Sequence, residues 1–441
     1  MTKFYNLSQL LRQLMVGTTI AATSTALSIT LPVFSPSGEA ALQNSPKMVL
    51  DEAWQIVNRE YVDGSFNQTD WQEVRRELLE NEYPSNEAAY EALRDALKQL
   101  DDPYTRFLDP EQYEELSNQT SGEFSGIGLR LQIDEETGVL TIVEPLENSP
   151  ATAAGLQAGD RILEIEGQST VGMTVQDASQ LIRGEAGTEV MLRVDRDDQG
   201  EFEVAVMRAR LEVPTVAHAL REEGDLKIGY IRLSEFSAHA AEQMQVAIRE
   251  LVEQDVDAFV LDLRGNPGGL LQSSIDISRM WLDSGAIVQT INRQGDSEQV
   301  FADHTSLTDR PLAVLVDNNS ASSSEILTGA LLDNRRATVV GTQTFGKALV
   351  QRVHGLSDGS GLAVTVAHYY TPDGTDISHR GITPDIELEL TRHEQQQLSA
   401  NPNLRGTFVD PHYREALTAL QPEILAHRRH RSLFQSLGVA E

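Results

Sequence analysis

The hydrophobic period changes twice along this chain, and each change limits what can fold there. Between residues 47 and 113 apolar side chains recur every three or four positions (Val49, Ala53, Ile56, Val57 and Tyr61, then Ala89, Leu93, Leu97 and Leu100), which predicts amphipathic helices closed by Asp102-Pro103. From residue 122 to 208 the spacing falls to two, in short runs separated by Gly and Asp turns. Two short helices interrupt these runs, one after Ser149-Pro150 and one opened by a capping box of Thr174 with Asp177 and stopped by Gly184. That is the pattern of a small, mostly β module. After Pro214, strand-like runs (227–233, 258–263, 312–316) alternate with helical ones (240–252, 270–281, 324–332), which argues for an α/β layer. A β-branched run follows at 362–369, and beyond Thr391 the chain reads as a polar helical tail with a basic patch at 427–431. The expected organisation is therefore multidomain α+β.

Lys3 and Arg12 precede an uncharged stretch, residues 13–38, whose apolar middle leads to small residues at Gly38, Ala40 and Ala41. This is signal-peptide grammar, so residues 1–40 are expected to be an export signal cleaved near Ala40. An uncleaved signal would instead hold the body at the membrane. The chain is acidic, with 35 Lys and Arg against 67 Asp and Glu, a net charge of −32, which argues against nucleic acid as a partner because phosphate contacts need clustered cations. The absence of cysteine removes thiol nucleophiles, disulfides and thiolate metal sites.

Three segments carry chemistry. Gly341-Thr-Gln-Thr-Phe-Gly-Lys347 has the spacing of a phosphate-binding loop, but Ala348 stands where a Ser or Thr must hold magnesium, and a strand rather than a helix follows. A lysine in a buried glycine-flanked loop has another use: burial lowers its pKa, and a neutral amine is a general base. Twenty-five positions earlier, Ser322 lies in the run Asn318-Asn-Ser-Ala-Ser-Ser-Ser-Glu325, between a strand and a helix. Such a turn displays a hydroxyl at a sheet edge and aims helix N–H groups at a developing oxyanion, although a Ser-rich segment before a helix is most often a plain cap. Leu261-Asp-Leu-Arg-Gly-Asn-Pro-Gly-Gly269 ends a buried strand in a glycine turn, whose Gly268 amide could pair with that of Ser323 as an oxyanion hole.

In this order and spacing, the segments 261–269, 320–325 and 344–351 resemble those of the carboxyl-terminal processing peptidases, serine endopeptidases of the tail-specific protease group. The resemblance implies Ser322 as nucleophile, Lys347 as general base and Gln351, four places on, as the residue that orients the lysine. It also implies a ClpP/crotonase-like catalytic layer, with no cofactor and no metal. The β module looks like a PDZ domain. Phe124-Ser-Gly-Ile-Gly-Leu129 matches its carboxylate-binding loop, so the amides of Gly126, Ile127, Gly128 and Leu129 would hold a substrate's terminal carboxylate. Arg183 is the candidate substrate-sensing arginine. The implied layout is a signal at 1–40, a helical region at 41–113, a PDZ domain at 118–208, a Ser-Lys peptidase core at 209–390 and a helical tail at 391–441.

These features together predict an exported endopeptidase, in periplasm or thylakoid lumen, that takes protein substrates by their free tails and cleaves through an acyl-enzyme. The photosynthetic branch of the family matures a photosystem II reaction-centre precursor, which makes membrane-proximal substrates compatible with this reading. Helical pieces at 49–61 and in the tail are candidates for packing between subunits of a homo-oligomer. The alternative is a non-catalytic PDZ adaptor that binds exported tails, against which the joint presence of Ser322, Lys347 and Gln351 argues. Histidine is the usual rival base, but His354 and His368 come with no Gly-x-Ser-x-Gly elbow.

Overall fold

The computed structural model describes residues 45–134 and 137–437; the expected signal at 1–40 lies outside them. Three helices come first, Pro46–Glu60, Trp71–Glu80 and Asn86–Lys98, the latter two capped by the Asp70 and Ser85 side chains. Their apolar stripes meet one another and also Phe107, Leu362 and Val364, so this region shares its core with a sheet of the second half. The helical reading of residues 47–113 fails locally. Arg106–Leu108 is a strand, paired antiparallel with Gly361–Tyr370, because Pro103 ends the helical stretch and the long strand has an open edge to fill.

The β module closes around Ile127, Leu140, Ile142, Ile162, Ile165, Leu192 and Val194. In its strand Glu189–Arg196, Val190, Leu192 and Val194 are buried while Glu189 and Met191 face out, the period of two read as burial. The expected helix is Val175–Ile182, with both bonds of the Thr174 and Asp177 capping box formed. Short strands Glu123–Gly126 and Ala209–Glu212, which enter and leave the module, pair antiparallel with each other.

A six-stranded sheet forms the next layer, in the order Val216–Glu223, Leu226–Leu233, Ala258–Asp262, Leu312–Val316, Thr338–Gly341, Ile386–Glu387. The first pair is an antiparallel hairpin and the rest run parallel. Helices Ala240–Glu253, Leu271–Trp281 and Ser323–Asp333 cover one face. The other face is covered by the long helix Pro411–Leu437, through Tyr413, Ala416, Leu417, Leu420 and Ile424. The tail is therefore part of the core, not a polar appendage: its apolar residues recur at helical spacing and the exposed sheet face needs a cover. The buried apolar residues of the first helices and of residues 413–424 of the tail pack within the chain.

Three neighbouring parallel strands end at the same edge of this sheet, and the loops at 263–270, 317–322 and 342–348 leave from there. This is the edge at which open α/β sheets place their ligands.

Candidate active site

Ser322 has φ +55° and ψ −113°, outside the regions open to a residue with a Cβ, at the point where the loop enters the helix Ser323–Asp333. Glu325 is what holds it there. Its side chain is fully buried, and its carboxylate accepts the Ser322 N–H (2.9 Å), the Thr344 hydroxyl (2.5 Å), the Gly346 N–H (2.7 Å) and the Lys347 N–H (3.0 Å). One buried carboxylate thus ties the serine turn to the lysine loop. Burial nevertheless pushes its pKa above the ordinary value, outweighing the four bonds that favour the anion. Glu325→Gln would turn one donor of its amide toward groups that are all donors. It is expected to lower kcat by about 10- to 100-fold through lost alignment, read by steady-state kinetics, with wild-type kcat the contrary result.

Gly268 packs on this turn. A Cβ there would meet the Ala321 carbonyl oxygen at 2.7 Å and Ser322 Cβ at 2.9 Å, so no larger residue fits. Its N–H, expected in an oxyanion hole with that of Ser323, donates to Asn266 Oδ1 at 2.9 Å. In this conformation it is already occupied.

Lys347 is half-buried, and its Nζ lies 4.6 Å from the centre of the Tyr104 ring. Burial lowers its pKa and Arg106 lowers it further, against the opposite pull of Asp102 and Glu325. Among the described residues no hydrogen bond joins its amine to the Ser322 hydroxyl, an arrangement common in active sites without substrate. Gln351 Nε2 approaches Thr365 Oγ1 at 3.5 Å, so its amide is directed at that strand.

Ser322, Ser323, Gly268, Lys347 and Gln351 line one cavity of about 520 Å³. Tyr104, Arg106, Gln119 and Thr120 of the amino-terminal region form another part of its wall, together with Tyr369. No histidine is in the lining among the described residues, and His354 is bonded to Glu60 instead. A larger cavity, about 790 Å³, lined by Arg264, Asp317, Arg405 and His412 among others, contains neither Ser322 nor Lys347 and is set aside on that chemical ground.

The carboxylate-loop candidates lie in the β module and do not line this cavity. Gly128 has φ +80° with Ser149 Cβ only 2.5 Å from where a Cβ would sit; the Ile127 and Gly128 carbonyls accept from Ala151 and Leu146 N–H, each at 2.9 Å. Arg183 caps the carboxyl end of Val175–Ile182, and Ser125 Oγ donates to the neighbouring Gly184 carbonyl at 2.5 Å, which sets that helix end beside the loop.

The model for peptidase family S41 matches residues 227–388, and that for the PDZ domain residues 141–196. A carboxyl-terminal-processing protease of the cyanobacterium Picosynechococcus is 44% identical over 88% of this chain and 92% of its own. The chain belongs to peptidase family S41. As an S41 carboxyl-terminal-processing protease it is a serine-type peptidase with a PDZ domain, multidomain and α+β. Chloroplastic carboxyl-terminal-processing peptidase 3 of Arabidopsis thaliana is 36% identical over 84% of this chain and 74% of its own. A solved structure entitled photosystem II D1 C-terminal processing protease is 36% identical, covers 78% of this chain and 93% of its own, and superposes with a TM-score of 0.49.

Sequence reasoning quoted Glu325 without giving it a role, although Ser322 and Glu325 have the spacing of a capping box. Tyr104, Arg106 and Tyr369 carried no comparable signal, since each reaches the site from a distant part of the chain.

Proposed function

We propose that this S41 peptidase is exported to periplasm or thylakoid lumen, grips free carboxyl-terminal tails through its PDZ loop, and cleaves them with a Ser322–Lys347 dyad. The observation that supports the dyad most directly is a nucleophile candidate and a lysine of lowered pKa lining one cavity without a histidine in its wall. Ser322 Oγ attacks the scissile carbonyl carbon as its proton passes to neutral Lys347 Nζ. The C–N bond then breaks, the lysine returns that proton to the leaving amine, and an ester on Ser322 remains. Water gives a proton to the lysine and attacks the ester carbon, the C–O bond to Ser322 breaks, and the lysine passes that proton to Ser322 Oγ, which restores the serine hydroxyl and the neutral amine. The Ser323 N–H holds the oxyanion, joined by that of Gly268 once it leaves Asn266 Oδ1. Gln351 orients the lysine after turning from Thr365. The amides of residues 126–129 receive the tail's carboxylate, with Arg183 beside them. Kinship with cyanobacterial and chloroplastic processing proteases favours the tail of a photosystem II reaction-centre precursor as substrate.

The test is time-resolved mass spectrometry of a tail-bearing peptide as free acid and as carboxyl amide, with acid-quenched enzyme searched for an acyl adduct. The expected result is faster cleavage of the free acid and an adduct on Ser322. Equal rates would remove the tail-binding role of the PDZ loop, and an adduct elsewhere would remove Ser322. Binding without cleavage would leave an adaptor.

The lysine base also sets a pH profile. Only the deprotonated amine accepts the serine proton, so kcat/KM should rise with pH and level off above the lowered lysine pKa. Arg106→Gln removes a cation that disfavours the ammonium, raises that pKa and moves the rising limb to higher pH. Asp102→Asn should move it the other way. Arg106 is exposed and its effect screened, so the profiles are best compared at low salt; a shift of the limb to lower pH in Arg106→Gln would contradict the assignment.

A further inference from the structure

We infer that Tyr369 is a positioning residue for the cleavage reaction, its hydroxyl pinning the backbone carbonyls of Ser322 and Lys347 at a fixed separation. This rests on the Ser-Lys reading and adds to it. The phenol oxygen is 2.5 Å from the Lys347 carbonyl oxygen and 3.1 Å from that of Ser322. A single O–H faces two acceptors, so the proton is shared between residues that stand 25 positions apart on separate loops. The ring is 1% exposed, packed in the main core with Ile326 and Ala348, and the Tyr369 N–H donates to the Ala348 carbonyl at 3.0 Å. Burial pushes the phenol pKa far up, which keeps the group a donor.

Glu325 and Tyr369 act on the same two residues from opposite ends. The Glu325 carboxylate accepts the N–H of Ser322 and of Lys347; the Tyr369 hydroxyl faces the C=O of each. Each of the two reacting side chains is therefore carried on a backbone unit held at both ends. The two ends are not equally dependent on the tyrosine. The Ser322 carbonyl also accepts the N–H of Glu325 (2.8 Å) and Ile326 (2.9 Å), the first bonds of the helix. For the Lys347 carbonyl the tyrosine is the one partner found among the described residues. Removing the hydroxyl frees the lysine loop more than the serine turn, and the lysine amine moves relative to Oγ.

The test compares Tyr369→Phe with Tyr369→4-aminophenylalanine, which restores a para donor, in the mature enzyme on the free-acid tail peptide. Ser322→Ala and Lys347→Ala run alongside. Tyr369→Phe is expected to lower kcat by about 10- to 100-fold, the loss that follows a displacement of about 1 Å between reacting groups. KM should stay within about twofold, because the hydroxyl is turned to the two backbone carbonyls and is spent on them. The amino variant should regain most of kcat. A structural tyrosine would instead change the melting temperature and leave kcat per folded molecule unaltered, so assays run well below the measured midpoint. Wild-type kcat in Tyr369→Phe, or a loss that the amino variant does not recover, overturns the inference while inactive Ser322→Ala and Lys347→Ala leave the dyad standing. Cleavage by either alanine variant would overturn the dyad itself.

Discussion

Lys347→Met is expected to lower kcat for tail cleavage by about 10³- to 10⁵-fold and to leave the protein folded and able to bind the free-acid peptide. Methionine keeps most of the volume of the side chain and removes the amine proposed to take the serine proton. What activity is left comes from the oxyanion donors and from binding, which do not depend on the amine. Stability should move the other way. A lysine whose pKa is lowered by folding binds its proton less readily folded than unfolded, so wherever it is protonated in both states it costs stability, and that cost disappears as pH rises past the unfolded value. At neutral pH Lys347→Met should therefore melt no lower than the wild type. Single-turnover mass spectrometry reads the rate and calorimetry the midpoint; full turnover in this variant would remove lysine as the base, and a lower midpoint would mean that the amine contributes to the fold.

The second large effect is on folding. Arg264, in the glycine-turn segment, does not face the Ser322 cavity but turns to the buried carboxylates Asp262 and Asp410. Its guanidinium reaches Asp262 Oδ2 at 2.6 Å and both Asp410 oxygens at 2.9 and 2.6 Å, while Tyr230 donates to Asp262 at 2.6 Å. Asp262 and Asp410 are fully buried and Arg264 is 4% exposed, so solvent does not screen them. Asp410 sits just before the helix Pro411–Leu437, and the network thus joins the tail to the strand that ends in the Gly268 turn. Arg264→Met leaves two carboxylates without their cation and should destabilise by about 3–5 kcal/mol, measured by urea unfolding. The wild type has a pH signature as well. Burial raises the pKa of Asp262, but the arginine and tyrosine outweigh it and lower the value to about 2. A depressed carboxyl pKa means stability that is full above the unfolded value of 3.8 and is lost as pH falls toward about 2. In Arg264→Met that dependence should reverse, the variant gaining relative stability as acid protonates its orphaned carboxylates. An unfolding free energy within about 1 kcal/mol of wild type would show that packing, not the ion network, anchors the tail.

Much of the architecture is local information. The change from helical to alternating to strand-helix periodicity follows from which face each element buries, and the capping box at Thr174 and the Ser322 N–H bond to Glu325 follow from residues three positions apart. The three loop segments could be placed at strand ends because apolar runs precede them, and their residue types pointed to acyl transfer. Periodicity says that a face is buried, not against what. So the strand Arg106–Leu108, the sheet-covering role of the tail helix and the wall formed by Tyr104 were decided only when distant elements met. The same holds within the site. Lys347 N–H reaches the carboxylate that also holds Ser322 N–H, and the carbonyls of both residues reach one phenol, through contacts that span 22 to 47 positions. Whether the Gly268 amide is free or held by Asn266 depends on a few ångströms of loop geometry. Residue types in order determine what chemistry a chain can perform; tertiary packing determines which atoms are held close enough to perform it, because hydrogen bonds and proton transfers fail beyond about 3.5 Å.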